Sequence, residues 1–260
     1  MSSVSGSAFD ATIWAFVAMA PVAISAWFGL SLNPNKKITA YFLALSSGML
    51  IALLSYDLVE EAFRMSGPYY ALIGLFLGLL AFQFANDLIA LVGVKRRQSI
   101  KCGGLGHLSS VQIQDRNTGL ALLVGATLDG IPESMSIGIS FLDNPLVSSS
   151  VILAVAVANI PEGLASGAGL KRSGVSRINI MFLWSAVVIL CMISSFMAFS
   201  LMKDAPASIK GLITAFAGGG VLAMTFQSII PEAYEGIKDR IGLIGGIGFA
   251  IAFIVSHVFH

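Results

Sequence analysis

The chain has 260 residues, of which 56% are hydrophobic and 11% charged, and its mean hydropathy is +0.86. Soluble domains carry about 25% charged residues, so this composition excludes a water-soluble enzyme or nucleic-acid binder and points to a polytopic membrane protein. The formal net charge of +1 says nothing about partners, whereas the placement of the charges does.

A helix needs about 20 apolar residues to cross the hydrocarbon core. That ruler predicts eight spans, at 9–32, 38–60, 69–94, 118–142, 146–170, 178–202, 210–233 and 241–259. The expected fold is an all-α membrane protein forming one transmembrane domain over 1–260, with its long cytoplasmic loop at about 95–117. Met1 to Phe16 contains no Lys or Arg and carries Asp10, so it lacks the basic region of a cleavable signal, and the first span is expected to persist. Cys102 is expected in a loop and Cys191 inside a span, with no CxxC, so both are read as free thiols. Lys and Arg divide twelve to three between the two sides, the minority being Arg64, Lys203 and Lys210. The majority side is the cytoplasm by the positive-inside rule. Both termini then lie outside the cytoplasm, and the expected location is the plasma (inner) membrane.

Span one has Trp14 and Trp27 as interface anchors, and Asn33-Pro34-Asn35-Lys36-Lys37 turns the chain back. Span two contains the small patch Ser46-Ser47-Gly48, suited to close helix packing, then Asp57, Glu60 and Glu61 at its external end. Glu60 and Glu61 read as a solvated helix end; Asp57, one turn deeper, is a candidate for a cation entrance. Gln83, Asn86 and Asp87 sit on the cytoplasmic half of span three, where water access accounts for them. The loop from Val94 to Asn117 is polar and basic and predicts little fixed structure, with His107 read as solvated.

Spans four and five hold two stretches that echo each other, Leu128-Asp129-Gly130-Ile131-Pro132-Glu133-Ser134 and Ala158-Asn159-Ile160-Pro161-Glu162-Gly163. Each places a carboxylate near the membrane midplane, at a cost of about 2.5–3.5 kcal/mol unless something compensates it. Asp129 and Glu133 are four apart and share one helix face, as do Asn159 and Glu162, three apart. Pro132 and Pro161 free the carbonyls of Leu128 and Val157, which need another partner in hydrocarbon: a cation, water or a hydroxyl such as that of Thr127. Kinking around packed small residues would explain the prolines but not three carboxylates in one layer. The pair reads as the two halves of a cation site.

Span six has no acid. Span seven carries Gly218-Gly219-Gly220, then Gln227, Pro231 and Glu232-Ala233, echoing span two with its Glu61-Ala62 but crossing in the opposite direction. Spans one to three and six to eight therefore read as an inverted repeat around the four–five pair, as in secondary transporters. Glu232, with Gln227, then marks the cytoplasmic mouth opposite Asp57. The patches in spans two and seven would serve internal packing or a homodimer equally well. His257 and His260 end the chain and are read as incidental.

These features resemble the ZIP family, the zinc- and iron-regulated-transporter-like proteins, over nearly the whole chain. Asn159-Ile160-Pro161-Glu162-Gly163 is similar to the family's span-five motif. The span-four motif, usually His-Asn-x-Pro-Glu-Gly, is matched at Pro132 and Glu133, with Asp129 at the usual His position and Gly130 at the usual Asn. In span five Ala158 stands where a His is usual. The resemblance implies that Asp129, Glu133, Asn159 and Glu162 coordinate a divalent ion (Zn, Fe or Mn) in transit as substrate, with no prosthetic group. It also implies that motion between repeats exposes the site to either side. A site without histidine has lost imidazole ligands and favours harder ions such as Mn²⁺ or Fe²⁺. Three carboxylates around one site raise each other's pKa, which would link metal exchange to proton movement. No P-loop is present, nor HExxH or Gly-x-Gly-Asp, so neither ATP-driven transport nor an intramembrane protease is expected. The alternative is a non-transporting metal sensor or scaffold on the same fold.

Overall fold

The computed structural model describes residues 7–32, 34–102, 127, 130–142, 148–172 and 174–258. Asp129, Leu128, His107 and His260 lie outside them. The described residues are all α-helical apart from short turns, and the chain is an all-α membrane protein. Ala8–Leu32, Lys36–Leu88, Arg177–Met202 and Ala207–Val255 are long and apolar enough to cross a bilayer.

Helix α1 (Ala8–Leu32) opens with a reciprocal cap: the Ser7 hydroxyl accepts from the Asp10 amide, and the Asp10 carboxylate accepts from the Ser7 amide. Helix α2 (Lys36–Leu53) is capped by Asn35, whose side chain accepts from the Ile38 amide. It runs without a break into a π-helical turn, Leu54–Val59, and then into α3 (Glu60–Cys102). Within α3 the path breaks at Gly67, with φ 73° and ψ 177°, a conformation open to glycine, and Pro68 starts the next stretch in the position where its missing N–H costs least. The helix continues to Cys102, past the predicted start of the loop at Val94. The reason is local: Lys95 to Lys101 contains helix formers and no Gly or Pro before Gly103.

Helix α4 covers 130–142, and α5 (Ser148–Arg172) and α6 (Arg177–Met202) follow. Helix α7 (Ala207–Met224) repeats the design of α2: it passes into a π turn, Thr225–Ile229, then α8 (Ile230–Ile237). A 3₁₀ turn, Lys238–Arg240, leads to α9 (Ile241–Val258).

Small residues let the helices touch at backbone distance. A methyl group at Gly48 of α2 would strike the Gly245 carbonyl of α9, and one at Gly248 would strike the Leu45 carbonyl. The α3–α7 contact has the same form, Gly219 against the Leu75 carbonyl and Gly78 against that of Phe216. The patches in spans two and seven are thus used up in packing within the chain. Helix α5 lies along α1 through Gly163 on the Val22 carbonyl and Gly167 on that of Ala26, and α4 meets α6 through Gly138 on the Ser195 carbonyl. Over the length of each pair the residue numbers rise together (Tyr41 with Arg240 and Tyr56 with Phe253; Ser66 with Gly211 and Gly78 with Phe216; Val22 with Gly163 and Ala26 with Gly167; Cys191 with Gly130 and Ser195 with Gly138), so the partners run parallel.

At one end of the molecule, Lys171 donates to the Leu30 carbonyl and Arg172 to that of Pro34 at 3.0 Å. The basic end of α5 thereby satisfies carbonyls left over where α1 stops. Arg240, before α9, reaches Tyr41 of α2 at the same end. At the other end Ser195 of α6 donates to the Ala11 carbonyl of α1, and Ser140 of α4 to Glu61 of α3.

Candidate functional site

Helices α4 and α5 carry the paired Pro-Glu stretches into the middle of the bundle. Glu133 is 3% exposed and Glu162 only 1%, and Pro132 and Pro161 are buried beside them. Their burial follows from packing: α5 is pressed onto α1 by Gly163 and Gly167, and α4 onto α6 by Gly138, with no room for side chains between. Neither 130–142 nor Ser148–Leu170 contains a Lys or Arg that could offer a counter-charge from the same helix.

Asn159 is buried as well, and its amide nitrogen donates to the Ala18 carbonyl of α1 at 3.1 Å, with the Met19 sulfur at 3.5 Å. Both contacts use the nitrogen, so they hold the amide by its donor end and turn its carbonyl oxygen away from α1. That oxygen is the atom of Asn that suits a hard cation. Met19 also approaches the other motif: a methyl group at Gly130 would collide with the Met19 Cε and the Cys191 Sγ. The thioether of α1 therefore lies between the span-four and span-five motifs, and the thiol of α6 borders the first. Neither sulfur is signalled by the local sequence, because both arrive through helix packing.

Around Glu133, Ser134, Ser136 and Ser140 are all buried, and the Ser134 and Ser136 hydroxyls bond to no described residue. A buried hydroxyl left without a partner costs about 1–3 kcal/mol, so this stretch of α4 is polar beyond what packing requires; Ser136 and Ser140 share the face of Glu133, and Ser134 points off it. Ser46 of α2 donates to the Ala158 carbonyl at 3.3 Å. A hydroxyl thus serves the carbonyl next to that of Val157, the one released by Pro161.

Asp57 lies deeper than Glu60 and Glu61, as its place one turn earlier predicts. It lies in the π turn Leu54–Val59 and is 3% exposed. Widening the turn changes which residues face inward, and the sequence has no marker for that. Glu60 is exposed and ion-paired with Arg64 at 2.6 Å, which cancels much of its local field. Glu61 is partly buried and accepts from Ser140, so it links α3 to α4. On the other half of the molecule, Gln227 lies in the second π turn; it donates to Gln83 at 2.8 Å and accepts from Asn86 at 3.5 Å, while Gln83 donates to Asp87 at 2.9 Å. The polar residues of span three are thus one connected chain with Gln227. Glu232 is partly buried in the first turn of α8. Among the described residues no three His, Cys, Asp or Glu side chains gather closely enough to hold a metal ion. Asp129, the third carboxylate of the expected set, is outside them.

No protein-family model matches the chain. It is 28% identical over 195 residues, 74% of its length, to a protein of Arabidopsis thaliana named "Putative zinc transporter". The chain spans 29% of the length of that relative.

Proposed function

We propose that this protein is a divalent metal-ion transporter of the ZIP type, not an enzyme, which moves its substrate toward the cytoplasm through a midplane site of Asp129, Glu133, Asn159 and Glu162. The observation that carries this reading is the burial of Glu133 and Glu162 at 3% and 1% exposure in helices that hold no basic residue there. Ionised carboxylates at such depth are stabilised by a cation or take up a proton, and alternation between the two states is what a carrier of divalent ions requires. The carbonyl oxygen of Asn159 and the buried hydroxyls of Ser134 and Ser136 are neutral oxygens in the same two stretches. The similarity to a protein named as a zinc transporter agrees with this chemistry.

In this reading the chain crosses the membrane eight times, with Gly67 turning α3 back and the 3₁₀ turn at Lys238–Arg240 separating the last two spans. Its halves are inverted copies. The α2–α9 pair corresponds to α7–α3: Gly48, Leu45, Gly245 and Gly248 play the parts of Gly219, Phe216, Leu75 and Gly78, and a π turn follows each first helix. The α1–α5 pair corresponds to α6–α4 in the same way, which brings the two Pro-Glu helices into the repeat. Asp57 and Glu61 lie on the external path, and Gln227, with Gln83 and Asp87, and Glu232 on the cytoplasmic one. Because no histidine remains in the motifs, Mn²⁺ and Fe²⁺ are the preferred ions of the class.

The test is uptake into sealed proteoliposomes with Zn²⁺, Fe²⁺, Mn²⁺, Cd²⁺ and Mg²⁺ in competition, against a Glu133→Ala/Glu162→Ala control. Uptake that disappears in a control protein still folded in the bilayer supports the assignment. Equal flux in both proteins refutes the site, and binding without flux favours a metal sensor on the same fold.

A further inference from the structure

Where α8 ends against the start of α2, a cavity of about 240 Å³ opens to the surface between Lys37, Tyr41, Glu235, Lys238 and Arg240. Three cationic side chains face one carboxylate there, a net charge of +2, and Asp239 does not line the cavity. The Arg240 guanidinium donates to the Tyr41 hydroxyl at 3.1 Å, which leaves its other N–H groups for a second acceptor. Lys37 lies in the first turn of α2, where the unsatisfied amides of a helix N-terminus add positive potential. Lys238 stands at φ 39° and ψ −104°, and among the described residues it is the non-glycine with positive φ. A turn that glycine would make at lower cost is made by a lysine that lines the cavity, and a strained residue at such a position points toward a role for its side chain.

We propose that this cavity binds a phosphate group, with the headgroup of an anionic lipid in the adjoining leaflet as its source. The cations supply charge, and the Arg240 fork and the Tyr41 hydroxyl supply directed hydrogen bonds to phosphate oxygens. The lipid source rests on the orientation given above, which places this end at the negatively charged cytoplasmic surface, where basic pockets between spans hold such headgroups. The phosphate chemistry does not rest on it, nor on the transport reading.

The full chain in neutral detergent is titrated with short-chain phosphatidic acid, with phosphatidylcholine of equal chain length, and with inorganic phosphate. Binding is followed by native mass spectrometry and by the shift in melting temperature. Phosphatidic acid binds, phosphatidylcholine does not, and each of Lys37→Gln, Lys238→Gly and Arg240→Gln weakens binding about fivefold. Lys238→Gly also removes the backbone strain, so without ligand it melts no lower than the parent protein, which separates loss of the site from loss of the fold. Inorganic phosphate giving the same charge-dependent shift also supports the site and makes a free anion its source. Equal binding of both lipids, or phosphatidic acid binding that survives the triple substitution, overturns the proposal. None of these readouts involves metal uptake, so they stand or fall apart from the transport assignment.

Discussion

Asn159 and the two buried glutamates divide the work of the candidate site in different ways. In the proposed site Glu133 and Glu162 supply charge, so Glu162→Gln, which keeps shape and removes charge, is expected to lower uptake about a hundredfold while folded yield holds; normal flux would disprove its role. Asn159, whose amide nitrogen donates to the Ala18 carbonyl, would supply a neutral oxygen. Asn159→Asp keeps an oxygen ligand and loses the donor, whereas Asn159→Leu loses both, and the expected order of uptake is parent, Asp, Leu. The hydrogen bond itself is worth about 0.6 kcal/mol in a membrane interior, so melting temperatures should hardly differ, and a large drop for the Leu variant would make Asn159 structural. Restoring imidazole by Asp129→His is expected to move the competition series toward Zn²⁺ by about tenfold or more, on ligand chemistry alone.

At the scale of the helices, the glycines sort into those that permit contact and those that do not. Gly48 and Gly219 each face a backbone carbonyl that cannot move aside, whereas nothing lies within 4 Å of a methyl group added at Gly246. Gly48→Val and Gly219→Val should each cost about 1–3 kcal/mol through overpacking, read as lower melting temperature and poorer folded yield in detergent. Gly246→Ala should gain about 0.5–1 kcal/mol, since only backbone entropy changes. Gly67 is a third case: space is open around it, but its φ of 73° penalises any other residue, so Gly67→Ala is expected to cost about 1–2 kcal/mol. If Gly48→Val were as stable as Gly246→Ala, the backbone-distance packing of α2 on α9 would be wrong.

For the whole molecule, the proposed repeat matches α2–α9 with α7–α3 and α1–α5 with α6–α4, and in that proposal the two sets of parallel helices rock against each other around the Pro-Glu layer. The positive-inside reading assigns one side to each end. With Cys102 and Cys191 replaced by serine, a cysteine at Lys37 is expected to react with an impermeant thiol reagent only from the cytoplasmic face, and one at Glu60 only from the opposite face. Labelling of both from one side would break the topology.

Composition and the run lengths between charges are enough to place this chain in a membrane as an all-α protein, because the bilayer acts on each segment separately and tolerates few polar residues. The two Pro-Glu stretches and the echo between spans two and seven are also visible in the sequence, since buried charge and small triplets are rare there. The helix runs on to Cys102 through a polar, basic stretch whose residues favour helix, a propensity that its charge conceals. What only tertiary packing decides is which side chains meet: Met19 and Cys191 against Gly130, Ala18 holding Asn159, Gln227 joined to Gln83, Asp57 turned inward by a π turn. Those relations depend on where glycines let helices approach and on a one-residue widening of the helical turn. Both are set between segments distant in sequence, where local periodicity carries no information.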